Sequence, residues 1–410
     1  ARLQAVLTAC EADRVLWRET YRCDAEYFYP ASTVKLCVAV AALHVLRRAK
    51  VAGLGITTPL AFHYSQAGRD SGGSRGGPAS VQLKADETNR KDGALTLGHL
   101  IRNVFLVSSN GAFNLLLDFV GRATLDRFLR RCLGFAHFRI PDYFEDKEFG
   151  PTRGMRLLGV EVAPGAADSV GVKCGDDFAG LLLEGLDEPS SEEDAGPLFE
   201  SFFVGEKHIE ALEEGEGEGG GAGEVLDGGR VLIHSPKDFS QKHRASLVEL
   251  QDFLMLVTRP DLAPCGATWR HRRRRRRQMM EEEEEDVLSF SDRMFLLDVM
   301  AMKPTDSSNP RYSPRDYCSD WNKFFLEGVR KARSDKAFKI YNKLGQAYGF
   351  SLDNAHVVDL ETQRSFFLTC VLYTNANETL NDDAYEYDTV AQPFLIDLAE
   401  ACCRAVGFCD

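Results

Sequence analysis

Tyr29-Pro30-Ala31-Ser32-Thr33-Val34-Lys35-Leu36 opens the most apolar helical stretch of the chain, which runs over residues 32–48. Its apolar residues fall on nearly every face rather than along one stripe, which predicts a helix in the centre of the protein. Pro30, ahead of the first turn, suits a helix start because it lacks the N–H that a first turn leaves unused. Ser32 and Lys35 stand three residues apart and therefore share a face. A serine at a helix N-terminus has free N–H groups and the positive end of the dipole beside it, both favourable to developing negative charge. A lysine in apolar surroundings can lose its charge and accept the serine proton. The same residues also fit an N-cap serine followed by an ordinary surface lysine, and S-x-x-K alone does not separate the two.

Outward from this helix, residues 1–29 read as a short helix followed by strands, with Val15-Leu16-Trp17 and Tyr27-Phe28-Tyr29 as β-type runs. A Gly/Ser-rich loop spans 68–80, and helical patterns cover 96–106, 112–133, 246–257, 290–302 and 320–332. Two β-type runs, 337–344 and 364–373, precede a closing apolar helix over 393–406. Strands at both ends with helices between them predict an α/β fold of the α+β type. An antiparallel sheet from the N- and C-terminal segments packs with helices, and an all-helical subregion carries the Ser32 helix. A single domain over 1–410 is expected, with two low-complexity inserts. The first, 184–230, is rich in Glu and Gly; the second, 264–287, sets Arg272 to Arg277 against Glu281 to Glu285. Such compositions cannot bury enough apolar surface to offset an ordering entropy of about 1–2 kcal/mol per residue, so solvated loops outside the main domain are expected. The Arg run also fits a nuclear address or a nucleic-acid contact, but the adjacent Glu run favours local charge compensation.

The 410 residues are 44% hydrophobic and 27% charged, values of a globular domain able to bury a full core. A net charge of −13 argues against a general nucleic-acid binder. No apolar run reaches the roughly 18–20 residues of a membrane span; the longest is interrupted by His44 and reads as a core helix. The chain opens on Ala1 with no leader visible there, so a missing start is allowed for and the compartment stays open. Eleven cysteines lack any CxxC pair, and their odd number leaves at least one thiol unpaired within the chain. Reduced, packing cysteines are the simpler reading. Nine histidines show no HxH, HxxH or HExxH spacing, so neither a metal nor another cofactor is expected.

Two further clusters carry chemistry. Ser108-Ser109-Asn110 falls between two helical patterns, where a hydroxyl and an amide can relay a proton and hold a substrate amide, or simply cap a helix. Ser307-Ser308-Asn309 repeats the tripeptide, but Pro310 follows and a loop is expected. Lys343-Leu344-Gly345 ends a β-type run, where a cation can bind a carboxylate and a glycine admits a ligand close to the backbone. K-x-G recurs at Lys91 and Lys173, yet only Lys343 sits on a convincing strand. Gly72-Gly73-Ser74-Arg75-Gly76 satisfies G-x-S-x-G, but Gly77-Pro78 follows where that motif needs a helix.

Taken in order, Ser-x-x-Lys, Ser-x-Asn and Lys-x-Gly resemble the active-site signature of penicillin-recognising serine enzymes, the class A β-lactamase-like serine hydrolases. The flanks share the resemblance: residues 29–36, Val104-Phe105-Leu106-Val107-Ser108-Ser109-Asn110 with Phe113-Asn114-Leu115-Leu116, and residues 341–350. The tail Asn381-Asp382-Asp383-Ala384-Tyr385-Glu386-Tyr387 is also similar to a bacterial branch of related hydrolases. The resemblance implies a nucleophile at Ser32, a proton acceptor at Lys35, a proton relay at Ser108 and an amide-holding Asn110. It also implies that Lys343 reads a substrate carboxylate, and that the oxyanion lies between the N–H groups of Ser32 and Gln346, just past Gly345. The partner it implies is a small-molecule amide or β-lactam, and it says nothing of oligomeric state.

This sequence departs from the pattern in three places. Ser109 stands where class A enzymes usually carry Asp, and Leu344 where they carry Thr or Ser, which removes a hydroxyl expected in the carboxylate pocket. No Glu-x-x-Leu-Asn segment is found; Glu145 and Glu148 lie near its expected place in surface-loop surroundings. Acylation is thus a firmer expectation than rapid deacylation. The alternatives are a peptidase, esterase or transacylase built on the same Ser–Lys pair, or a non-catalytic binding module on the same fold.

Overall fold

A computed structural model describes residues 2–48, 54–64, 95–145, 157–162, 171–172, 198–211, 223–226, 229–264, 286–318, 320–334 and 336–408. Its frame is a five-stranded antiparallel sheet made from the two ends of the chain. The strands are β1 (Arg2–Glu11), β2 (Arg14–Tyr21), β3 (Phe338–Ala347), β4 (Phe350–Asp359) and β5 (Arg364–Tyr373), in spatial order β3-β4-β5-β1-β2. β1 joins the halves by pairing β5 from Arg2↔Tyr373 to Glu11↔Arg364. The expected sheet of N- and C-terminal segments is therefore present.

Two expectations fail within it. The opening residues form strand β1 and not a short helix. Their Ala and Leu favour a helix intrinsically, but pairing on both sides overrides that preference. Tyr27, Phe28 and Tyr29 form no strand; they are buried in the approach to Ser32.

The helices are α1 (Lys35–Arg48), α2 (Leu97–Leu106), α3 (Asn110–Val120), α4 (Arg122–Arg127), α5 (Leu247–Thr258), α6 (Phe290–Ala301), α7 (Leu326–Ala332) and α8 (Gln392–Ala405). Within α1 every residue from Lys35 to Leu46 is buried, as the all-round apolar pattern requires. His44 stays inside by pairing its Nδ1 with the Val287 carbonyl at 2.8 Å. The single helix expected over 112–133 breaks at Gly121, whose φ of +84° ends α3. Only the second half of the helix expected over 320–332, Leu326–Ala332, is helical.

The sheet separates two apolar cores. In front, α1, α2, α3 and α5 pack with Val6, Leu352, Phe367 and Val371. Behind, α7 and α8 pack with Phe338, Ile340, Leu344 and Leu368. Thr8, Gln251, Thr369 and Asn354 tie α5 to the front face: Gln251 Nε2 donates to the Val6 carbonyl at 2.9 Å and to Thr369 Oγ1 at 3.1 Å. Thr369 Oγ1 donates to Asn354 Oδ1 at 2.7 Å. Such a ladder fixes the register of helix on sheet while leaving few buried polar atoms unmet.

The solvated loop expected over 184–230 does not hold for its described middle. Phe203–Val204 and Lys207–Ala211 form short strands, and Phe199 is buried against Tyr27. Its Glu/Gly-rich core and the Arg/Glu runs of the second insert lie outside the described residues. Among the described residues no helix is long and apolar enough to cross a membrane.

Candidate active site

Ser32 lies in a 3-10 turn, Ala31–Val34, that leads into α1. The turn is pinned by Thr33, whose N–H and Oγ1 both donate to the Pro30 carbonyl, at 3.1 and 2.6 Å. Ala31 has a φ of +45°, a left-handed conformation uncommon outside glycine. Ser32 is half-buried at the mouth, while Lys35 below it is fully buried. The Lys35 ammonium donates to the Ser108 carbonyl and to Asn110 Oδ1, each at 2.5 Å, and lies 4.7 Å from the centre of the Phe144 ring. No hydrogen bond joins Ser32 to Lys35 among the described residues. Two oxygens and an aromatic face hold the ammonium toward the α2–α3 junction instead.

That junction is tight. Val107 and Ser109 both donate their N–H to the Asn103 carbonyl, and Ser108 between them takes a φ of +56°. A second non-glycine residue in left-handed backbone beside the same lysine marks local strain of the kind that clusters at functional sites. The Ser108 hydroxyl accepts from Lys343 Nζ at 3.0 Å. Ser109 Oγ caps α3 by accepting from the Ala112 N–H at 3.1 Å, so the middle residue of the motif serves the helix start. Asn110 bridges the site: Oδ1 meets Lys35, and Nδ2 donates to the Glu145 carbonyl at 2.7 Å.

The third motif lies on β3, an edge strand, so part of its backbone polar groups has no strand partner. Lys343 and Gly345, two residues apart, face the helical side. Leu344 points to the opposite core with Phe338 and Ile340. A hydroxyl at position 344 would therefore not have stood in the pocket with Lys343, which corrects the expectation attached to that residue. Burial pulls the Lys343 ammonium down to about 7, with Asp353 opposing the shift. At Gly345 a Cβ would lie 2.7 Å from Ser32 N and 2.9 Å from the Pro30 carbonyl, so only glycine lets the strand approach the Ser32 turn. Gln346 follows, exposed, with its side chain donating to Ser351 Oγ at 3.0 Å.

Sequence motifs missed the wall of the site. A cleft of about 170 Å³ opens beside Asn110, between Tyr29, Phe144, Lys242, His243 and Tyr348. Tyr29 stacks on His243 at 5.9 Å and meets Tyr348 edge-on at 5.2 Å. The His243 imidazole is held neutral, its pKa pulled to about 3 by burial. Residues 142–145 form the outer edge. Asn114 holds them through Nδ2 to the Phe144 carbonyl (2.9 Å) and Oδ1 from the Phe144 N–H (3.1 Å). The Tyr143 hydroxyl donates to Asp118. Glu145 lines the cleft with an exposed side chain; Glu148, Ser74, Lys91 and Lys173 lie outside the described residues. No cluster of three or more metal-ligating side chains occurs among the described residues.

Residues 18–160 match the family model described as the β-lactamase enzyme family, a span that carries Ser32, Lys35, Ser108 and Asn110. Solved structures similar to the chain include a β-lactamase from Desulfarculus baarsii, 15% identical, covering 99% of this chain and 92% of that one with a TM-score of 0.46. A β-lactamase from Streptosporangium roseum is 15% identical over 99% and 93% of the two chains, with a TM-score of 0.46. A class A β-lactamase from Mycobacterium abscessus is 12% identical over 99% and 94%, with a TM-score of 0.46. No curated protein matches.

Proposed function

From the β-lactamase enzyme family match over residues 18–160, we propose that the chain is a serine hydrolase whose Ser32 is acylated by a β-lactam or related amide. The observation that carries the reading is the Lys343–Ser108 contact of 3.0 Å, with Lys35 on the Ser108 carbonyl. Three motifs spread over more than 300 residues meet there on one serine. In this reading the Ser32 hydroxyl attacks the carbonyl carbon while Lys35, as the neutral amine released from Asn110 on substrate binding, takes the serine proton and becomes an ammonium. The oxyanion rests on the N–H groups of Ser32 and Gln346, a pair that close approach at Gly345 supports; each such donor is worth about 3–4 kcal/mol of barrier. Ser108 passes a proton to the leaving nitrogen and Lys343 holds the substrate carboxylate. Asn110 and Gly345 border the bound amide.

We further propose one hydrolase domain over 1–410, interrupted by charged inserts. Deacylation is the slow step, because Glu145 is exposed and meets Asn110 through its backbone, not through its carboxylate. Intact-mass spectrometry after exposure to a penicillin tests this. A persistent adduct of one drug mass is expected in the parent protein and none in Ser32→Ala. Rapid drug turnover with no adduct would contradict slow deacylation and point to Glu145 or Glu148 as the water-activating base. Neither adduct nor turnover would favour the binding-module alternative.

A further inference from the structure

The resemblance gives the substrate amide to Asn110, yet that side chain is already bound on both sides. Its Oδ1 accepts from Lys35 Nζ at 2.5 Å and its Nδ2 donates to the Glu145 carbonyl at 2.7 Å. What remains to it is one N–H, which can meet a carbonyl oxygen but not another N–H. On the wall of the same cleft stands His243, 3% exposed, whose Nδ1 is buried with no hydrogen-bond partner. Other such atoms among the described residues, His99 Nδ1 and Asn322 Oδ1 among them, lie away from this cleft. The His243 ring is firmly held. Phe144 packs on it at 4.6 Å, Tyr29 stacks on it at 5.9 Å and Phe113 meets it edge-on at 6.3 Å. Its backbone is fixed as well, because the Tyr27 hydroxyl donates to the His243 carbonyl at 2.9 Å. A buried polar atom without a partner costs stability, and an apolar ring in this aromatic nest would avoid that cost. An orphan nitrogen held rigid on a cleft wall is suited to a polar group that arrives with the ligand.

We propose that His243 is a specificity-determining residue of the Ser32 site: its orphan ring nitrogen shares a hydrogen bond with the amide of an acylamino group on the substrate, and the half-buried rings of Phe144 and Tyr348 receive an aromatic group attached to that amide. This rests on the hydrolase reading above. Tyr29 stands three residues before Ser32 and Asn110 touches Lys35, so the cleft opens beside the proposed nucleophile. The imidazole is uncharged, so one of its nitrogens donates and the other accepts. An amide carries both an N–H and a carbonyl, and therefore matches Nδ1 in either tautomer. Phe144 and Tyr348 are only partly covered by the protein, which leaves ring surface for a flat apolar group. The substrate class that meets all three features is an aryl-acylamino compound.

The test compares Ser32 labelling rates of the full chain with three penicillins. Benzylpenicillin carries ring and amide, its acetyl analogue carries the amide alone, and the aminopenicillanic acid nucleus carries neither. The parent protein should prefer them in that order. His243→Phe keeps the ring packing and removes the nitrogen. It should erase the preference for the acetyl analogue over the nucleus, a loss of about tenfold, while the preference for benzyl over acetyl stays. Tyr348→Ala should do the opposite. Equal slowing of all three by His243→Phe, or an acetyl preference untouched by it, overturns the proposal. A second measurement needs neither a folded variant nor a reactive serine: N-phenylacetylglycine, an aryl amide without a β-lactam ring, is titrated into ¹⁵N-histidine-labelled protein. A saturable shift of the His243 Nδ1 signal is expected, and a signal unmoved at saturation overturns the proposal. If no penicillin labels the parent protein, the hydrolase reading falls and this titration alone decides the role of His243.

Discussion

Gly345 and Gly328 occupy opposite sides of one sheet, and each is glycine because another backbone presses on it. On the front, a Cβ at Gly345 would meet Ser32 N at 2.7 Å and Ala31 Cβ at 3.0 Å. On the back, a Cβ at Gly328 in α7 would meet the Ile396 carbonyl of α8 at 2.1 Å and Ala399 Cβ at 2.8 Å. The same packing demand serves two ends. At Gly345 it brings a strand edge onto the turn that holds the proposed nucleophile; at Gly328 it seats two helices far from any reacting group.

Substitutions can break or sharpen that contrast. Gly345→Ala should have the largest effect. Pushing β3 from the Ser32 turn should spoil the oxyanion donors and slow acylation about 100-fold or more, with little loss of Tm. Equal loss of labelling and of folded protein would mean that this glycine is structural like the other. Gly328→Ala should do the reverse. Overpacking of α7 on α8 should cost about 1–3 kcal/mol, part of it recovered because alanine favours a helix, with the labelling rate of the folded fraction unchanged. Denaturant unfolding and Ser32 labelling on the same samples separate the two outcomes.

A third substitution, Asn114→Ala, tests the outer edge of the cleft. It removes both hydrogen bonds that hold Phe144, and with them the ring over Lys35. A loss of about 1–3 kcal/mol is expected from the unmet backbone groups, measured by denaturant unfolding, together with a modest change in labelling. An unchanged stability would mean that the Tyr143–Asp118 and Asn110–Glu145 hydrogen bonds hold this edge without it.

How much of this was legible in the sequence differs between the two strands of the β3–β4 hairpin. β3 was readable because it carries Lys343-Leu344-Gly345 at the end of an alternating run. β4 was missed entirely. It is buried on both faces yet carries Ser351, Asp353, Asn354 and His356, so neither alternation nor an apolar run marks it. Those polar residues are satisfied or stacked by partners far along the chain, such as Phe324, Thr369 and Phe367. Tyr348-Gly349, both with positive φ, turns β3 into β4 and sets the Tyr348 ring against Tyr29 and Phe239. The site was legible for the residues on its motifs. Tyr29 and Tyr348 stood in the flanks of the motifs with no role given to them, and His243 and Phe144 enter the site through folding alone. The contacts of Lys35 were not legible, because three-residue spacing fixes a face shared with Ser32 but not which oxygen an ammonium chooses.

The central claim is that the three motifs form one acylating centre with Ser32 as its nucleophile. The direct measurement is peptide mapping of the protein after brief exposure to a penicillin, locating the added mass by fragmentation. The account predicts the adduct on Ser32 within the peptide containing Ala31-Ser32-Thr33, with no modification of Ser108 and none anywhere in Ser32→Ala. An adduct on another residue, or equal labelling of the Ser32→Ala protein, would contradict it.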